Sequence, residues 1–155
     1  MKHTVQATLN QIKIAVDSLV LMTDKVKEIN LDIKPIEGKR SIVELLAHIS
    51  LICKADFLIL NEATQVEMNE FYRGNCPYTL EDIREALLNN FQFLSEEAAR
   101  YSNQELLEST TSYWGVTYTR FEWLIEIVGH VYHHRGQLHT LLVQNKLDPK
   151  VSLFE

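Results

Sequence analysis

Glycine and proline are scarce in this chain, and their scarcity limits the folds open to it more than any other feature. The 155 residues include five glycines and three prolines. An all-β protein needs many tight turns, which these residue types favour. The long stretches between them instead show apolar side chains at spacings of three and four, which is typical of amphipathic helices. The sequence therefore predicts an all-α fold.

Four helices are predicted from this spacing. The second begins at a capping box formed by Ser41 and Glu44, and the last begins at a similar pair, Thr119 and Glu122. Asn145 is expected to end the last helix in a left-handed conformation. Helices of roughly 22 to 27 residues suit a four-helix bundle. They cover about residues 5–29, 41–62, 79–101 and 119–145.

Two long connections separate the predicted helices. Residues 61–78 have weak periodicity and are predicted to form a long loop with an irregular helical turn. Residues 102–117 are polar and rich in Ser and Thr, and they form the second connection. Long loops in compact domains often cover functional sites, so we expect the substrate determinants here.

Charge and composition exclude several classes of protein. The formal net charge is −6, and no basic run interrupts the sequence, so sequence-independent binding to nucleic acid is disfavoured. The most apolar stretch, residues 42–60, is interrupted by charged residues and a histidine, which argues against a membrane span. No signal peptide is visible, and the two cysteines lack metal-site spacing. We expect one cytoplasmic domain over residues 1–155, without a nucleic-acid or membrane partner.

Three of the six histidines, His130, His133 and His134, lie within five residues of the last predicted helix. On a helical wheel His130 and His134 stand about 40° apart and one turn apart, a geometry in which two imidazoles can bind one metal ion. His130 and His133 stand about 60° apart, so spacing alone leaves the second ligand open. A solvated polar face that also includes Glu122 and Gln137 is the alternative interpretation.

His48 lies in the middle of the most apolar predicted helix. A buried imidazole needs a partner, which can be a carbonyl in the core or a metal ion shared with histidines of another helix. Two ligands from one helix and one from its neighbour would leave a coordination position open, as in catalytic metal sites. Glu44 and Glu126, each one turn before a histidine, could orient an imidazole or be surface charges.

Cysteine and aromatic residues in and beside the connections have two interpretations each. Cys53 is expected to pack in the core, whereas Cys76 is expected to be accessible in its loop. The aromatic side chains could line the mouth of the site, although closing the end of a helical core explains most of them better. These aromatic residues are Tyr72, Tyr78, Tyr113, Trp114 and Tyr118.

The segments HVYHHRGQLHTLL in the last predicted helix and LLAHI in the second resemble those of the DinB/YfiT-like family of metal-binding four-helix bundles. The resemblance implies an up-down-down-up bundle in which three histidines bind a divalent metal ion, zinc or nickel. Matched residue by residue, the ligands are His48, His130 and His134, and His133 has no assigned role. Relatives often dimerise, so a homodimer is expected.

The resemblance implies a less uniform function. Characterised relatives include transferases and isomerases that use low-molecular-weight thiols such as bacillithiol or mycothiol, and others are described as metal-dependent hydrolases or damage-inducible proteins. We predict a thiol-dependent S-transferase that acts on a small electrophile, with the thiol as co-substrate. A metal-dependent hydrolase is the alternative, and a non-catalytic metal-binding stress protein is a third hypothesis, because fold analogy does not select among them.

Overall fold

A computed structural model describes residues 2–34 and 36–152 of the chain. This part of the protein is mostly helical, with five α-helices, two short 3-10 helices and one small two-stranded sheet. The predicted helical class is confirmed, and the sheet is an addition to it. The α-helices are α1 (Lys2–Thr23), α2 (Ile42–Leu60), α3 (Gln65–Gly74), α4 (Leu80–Ala98) and α5 (Arg120–Gln144).

Reciprocal hydrogen bonds fix the start of the two helices that carry the candidate site. The Ser41 hydroxyl accepts from the Glu44 backbone N–H at 3.2 Å, and the Glu44 carboxylate accepts from the Ser41 N–H at 2.6 Å. Thr119 and Glu122 make the same exchange before α5. Each pair satisfies backbone donors that a helix start leaves open. Both predicted capping boxes are confirmed.

The core lies between the four long helices. Helix α2 packs mainly against α4 and α5, and α1 packs against the same two helices. Each of the four helices contributes fully buried aliphatic side chains. Burial of their apolar surface is the main source of the protein's stability. No helix within the described ranges is both long and apolar enough to cross a bilayer. Representative core residues are Ile12, Leu46, Leu94 and Leu124.

The first helix is shorter than the sequence predicts. It ends at Thr23, and the chain then turns into a 3-10 helix at Glu28–Asn30. Val26 is 5% exposed, whereas Ile29, which the helical spacing also places in the core, is 86% exposed. Apolar spacing continues beyond the helix because the turn folds Val26 back onto the core, and this makes the helix look longer in the sequence.

The connection after α2 contains a regular helix, so the prediction of a loop with an irregular turn is wrong. Helix α3 has ten residues and begins at a capping box of Thr64 and Glu67. Met68 is the one buried residue of this helix. A helix that buries so little has weak apolar periodicity, and the capping residues were its clearest signal.

The connection after α4 is also structured. It contains a 3-10 helix (Glu105–Leu107) and an antiparallel hairpin of β1 (Ser109–Thr111) and β2 (Thr117–Thr119). Threonine suits a short strand because its branched side chain fits the pleated surface. Gly115 has φ +94° in the turn, a conformation that glycine adopts without steric cost.

The last helix ends where the sequence predicts, with a different residue in the left-handed conformation. Asn145 has φ −92°, and the following Lys146 has φ +61°. The Asn145 side-chain amide donates to the Leu141 carbonyl at 2.8 Å. The same carbonyl also accepts from the Asn145 backbone N–H at 3.1 Å, so Asn145 binds the last turn twice, and the left-handed residue lies one position later.

Replacing Thr119 with alanine is expected to lower the free energy of unfolding by about 1 kcal/mol, because the N-terminal cap of α5 is lost. Chemical denaturation followed by circular dichroism measures the change. Thr119→Ser should retain most of the stability, and Thr140→Ala, on the exposed part of the same helix, should not destabilise the protein. Equal stability of Thr119→Ala and wild type would contradict the capping role.

Candidate metal centre

Three histidines from two helices converge where α2 packs against α5. His48 lies on α2, and His130 and His134 lie one turn apart on α5. One ring nitrogen from each lies within 4.8 Å of the others, and the Nε2 atoms of His48 and His134 are 3.1 Å apart. All three side chains are partly buried. The structure therefore brings together the three residues that the family resemblance assigns as ligands.

The choice between His133 and His134, which the helical spacing leaves open, has a geometric answer. His134 faces His48, with their ring centroids 4.6 Å apart. His133 is exposed, and its ring lies 4.8 Å from that of His134. Among the described residues, the groups able to hold a metal ion include His134 and not His133.

Asp56 and Gln137 orient two of these imidazoles. The Asp56 carboxylate lies 2.7 Å from Nδ1 of His130, and the Gln137 side-chain oxygen lies 2.9 Å from Nδ1 of His134. When each Nδ1 carries the proton and donates it, each Nε2 has a free electron pair. A carboxylate behind a ligating histidine is a common arrangement in metal sites, where it fixes the tautomer and the ring orientation.

The role of Asp56 was not predicted from the sequence. Glu44 and Glu126 were the predicted orienting carboxylates, but the Glu44 carboxylate is hydrogen-bonded to the start of α2. Glu126 belongs to a second cluster with Asp56 and His130, whose potential ligand atoms lie within 4.8 Å of one another. The available signal was a carboxylate in the most apolar helix, eight residues after His48, because such a group must have a partner when buried.

The surroundings of the three imidazoles shift their pKa values in different directions. Burial lowers the pKa of His48 from 6.5 to about 4, with further lowering from the positive charge of Arg40. Burial also lowers the pKa of His134. The hydrogen bond to Asp56 raises the pKa of His130. At neutral pH His48 and His134 are therefore neutral, which is the form that binds a metal ion.

The arginine that follows His134 in the sequence is buried. Arg135 is 2% exposed, its Nη1 donates to the Ser18 hydroxyl of α1 at 3.3 Å, and its guanidinium lies 4.3 Å from the centroid of the Tyr132 ring. The hydrogen bond to Ser18 joins α5 to α1, and the contact with Tyr132 lies within α5. Arg135 therefore helps to hold the helix that carries two of the three histidines.

The aromatic side chains of the two connections lie in different environments. Burial raises the pKa of Tyr72 to about 12, with smaller effects from the charges of Asp56 and Tyr113. Trp114 packs at the hairpin against the core residue Trp123. Tyr78 instead donates to Asp32 at 3.0 Å. All five side chains are exposed, and Trp114 and Tyr118 both contact the core residue Trp123.

The two cysteines occupy the environments that the sequence predicts. Cys53 is buried in the core, where burial raises the pKa of its thiol to about 12. Cys76 is exposed, and its thiol donates to the Tyr72 carbonyl at 3.1 Å. Neither belongs to the groups of potential metal ligands found in the described part of the chain.

Comparison with known proteins places the chain in a family. The sequence model of the DinB family matches residues 2–145, and the chain belongs to this family. Its fold resembles the crystal structure of a DinB family member from Exiguobacterium sibiricum 255-15, with 30% identity, a TM-score of 0.87 and 97% of each chain covered. No protein with curated annotation matches the sequence.

A more distant structure shares the fold alone. A DinB-like protein from Bacillus cereus ATCC 10987 has a TM-score of 0.68 at 16% identity, with 97% of this chain and 95% of that chain covered. The arrangement of secondary structure is thus shared at low sequence identity. The family assignment agrees with the resemblance carried by the two histidine segments.

The low pKa of His48 predicts a loss of stability in acid. The unfolded state takes up the His48 proton near pH 6.5 and the folded state only near pH 4, so the unfolded state binds more protons between these values. In the metal-free protein the free energy of unfolding should therefore fall as pH falls through this window. Urea denaturation at a series of pH values should show a shallower dependence for His48→Gln.

The matched control is His139→Gln, which changes a histidine outside the cluster and should keep the wild-type pH dependence. The lowered pKa values of capping carboxylates also weaken the protein in acid, so the comparison between variants carries the test. An unchanged pH dependence in His48→Gln would contradict the low pKa.

Proposed function

We propose that this protein is a metal-dependent S-transferase that joins a low-molecular-weight thiol to a small electrophile. The observation that carries the proposal is the convergence of His48, His130 and His134 at the contact between α2 and α5. Thiol chemistry comes from the family resemblance, and the site geometry is compatible with it. Zinc or nickel is the proposed metal.

The donor set fits a divalent ion of this type. Imidazole nitrogen is a good ligand for zinc and nickel. Two ligands at zinc–nitrogen distances of about 2.0–2.1 Å in a tetrahedron are about 3.3 Å apart, close to the 3.1 Å between the Nε2 atoms of His48 and His134. Three protein ligands leave a position for a substrate, as in catalytic sites.

The side chains around the histidines prepare them for this role. Burial keeps His48 and His134 neutral, and Asp56 and Gln137 hold the rings of His130 and His134 with Nε2 free to ligate. A divalent ion, when bound, lowers the pKa of a thiol ligand and holds it against an electrophile. In the reaction the sulfur–carbon bond forms, the leaving group departs with its electron pair, and the thiol proton goes to solvent.

A metal-dependent hydrolase is the second candidate, and the position of Glu126 favours it. Glu126 lies in the cluster with Asp56 and His130, and burial together with the charge of Asp56 raises the pKa of its carboxyl. A carboxylate beside a ligating histidine can accept a proton from an attacking water. Replacing Glu126 with glutamine would therefore harm a hydrolase more than a thiol transferase.

Four further properties belong to this proposal. The four long helices form an up-down-down-up bundle, which their packing partners support. The protein acts as a homodimer on a small-molecule substrate, and it works in the cytoplasm. The non-catalytic metal-binding hypothesis becomes favoured if neither thiol transfer nor hydrolysis is found.

Metal analysis is the first test of the site. The protein loaded with zinc should hold about one equivalent, and alanine variants of His48, His130 and His134 should each lose it. Asp56→Asn should weaken zinc binding by about 10- to 100-fold, because His130 loses the carboxylate that orients it. Elemental analysis and competition with a chromophoric chelator measure these changes.

His133→Ala and His139→Ala are the controls for the metal analysis, and both should retain the ion. Loss of zinc in His133→Ala with retention in His134→Ala would reassign the ligand. Retention in all three single ligand variants would overturn the site.

The second test concerns the thiol. Addition of 2-mercaptoethanol to the cobalt-substituted protein should produce a sulfur-to-cobalt charge-transfer band in the near ultraviolet. The zinc protein should then accelerate addition of this thiol to monochlorobimane, and His134→Ala should not. Inhibition by thiols together with turnover of esters in their absence would support the hydrolase instead.

A further inference from the structure

The segment before α2 carries a concentration of positive charge that the proposed chemistry has not used. Lys34, Lys39 and Arg40 are exposed, and Glu37 is the acidic residue among them. Within residues 2–34 and 36–152, no ion pair involves any of the three cations. Hydrogen bonds with Ser41 lower the pKa of the nearby Glu44 carboxyl, and the charges of Lys34 and Arg40 lower it further, so Glu44 offsets part of this positive charge without forming an ion pair within the described ranges.

A small cavity lies between this segment and Gln137, whose side chain is hydrogen-bonded to His134. Its volume is about 70 Å³. Lys39 and Arg40 lie on one side, and Gln137, whose side-chain oxygen is 2.9 Å from His134, lies on another. The remaining walls are aliphatic and come from three different elements, Ile36, Leu45 and Leu141.

Arg40 also lies close enough to the histidines for its charge to reach each of them. Its positive charge lowers the pKa of His48, His130 and His134. A guanidinium in that position is available to a ligand that extends from the histidine cluster into the cavity. It can hold a carboxylate through two parallel hydrogen bonds, which is a geometry that lysine does not offer.

We propose that the cavity between Arg40, Lys39 and Gln137 binds a carboxylate group of the molecule that reacts at the histidine cluster. This inference rests on the proposed function and deepens it, because it assigns the thiol co-substrate to the carboxylic acids. The cations supply the opposite charge, and Gln137 supplies an amide donor. The aliphatic side chains of Ile36, Leu45 and Leu141 present no polar group that would compete for the carboxylate.

The cavity is large enough for a carboxylate group. A volume of about 70 Å³ corresponds to roughly two water molecules at the density of the liquid. A carboxylate occupies a similar space.

The first experiment measures carboxylate binding without a metal ion. Succinate is titrated into the metal-free, isotope-labelled protein while the side-chain amide signals of Gln137 are followed by NMR. Saturable shifts are expected with succinate, and none with succinamide, its neutral analogue. Arg40→Gln should weaken succinate binding by about tenfold, because a charge-assisted pair is lost.

The control variant is Lys13→Gln, which removes the same charge from an exposed position on α1 and should bind succinate like the wild type. Circular dichroism verifies that Arg40→Gln is folded. Equal binding of succinamide, or unchanged succinate binding in Arg40→Gln, would overturn the inference. Inorganic phosphate that binds more tightly than succinate with the same dependence on Arg40 would overturn the assignment to carboxylates.

The second experiment uses two thiols that differ only in the acid group. The zinc protein is assayed with monochlorobimane and either 3-mercaptopropionate or 3-mercapto-1-propanol. Arg40→Gln should raise the KM for the acid and leave the KM for the alcohol unchanged, and Lys13→Gln should change neither. A rise in both KM values would contradict carboxylate recognition.

The two experiments separate the failure of this inference from that of the proposed function. Absence of turnover with both thiols refutes the S-transferase proposal, while Arg40-dependent succinate binding in the metal-free protein would still support the cavity as a carboxylate site. Turnover of both thiols with equal KM values would leave the S-transferase standing and refute the carboxylate site.

Discussion

The hydrogen bond between Asp56 and His130 links the two helices on which the candidate site depends. Asp56 is 7% exposed in the most apolar helix of the chain, where a carboxylate without a partner is costly. His130 supplies that partner at 2.7 Å. Because the pair forms only when α2 and α5 pack in one register, the polar contact also selects the packing that brings His48 opposite His134.

The local signals in the sequence predicted more of the fold than of the site. The capping boxes at Ser41 and Thr119 are set by residues three positions apart, so both helix starts were predictable. Helix α3 was not predicted because it buries one residue, Met68, of its ten. The role of Asp56 was missed for another reason, since its partner lies 74 residues away and no local pattern specifies the register between two helices.

The family resemblance contributed what the helical wheel left open. Spacing alone did not distinguish His133 from His134, whereas the motif selected His134, and this is the residue that faces His48 in the structure. The charged residues around the three histidines are also distributed unevenly. Asp56 and Glu126 lie beside His130, and Arg40 lies beside the cavity next to His134. This asymmetry of charge is a product of the fold and cannot be derived from net composition.

Thr119 belongs to two elements at once, since it ends β2 and caps α5. The hairpin is held at its other strand as well, because the Arg120 N–H donates to the Glu108 carbonyl at 3.0 Å. The turn that carries Tyr113 and Trp114 is therefore joined to the same helix as His130 both directly through β2 and by this backbone hydrogen bond. In evolution such a turn can change its length or its aromatic residues without moving His130.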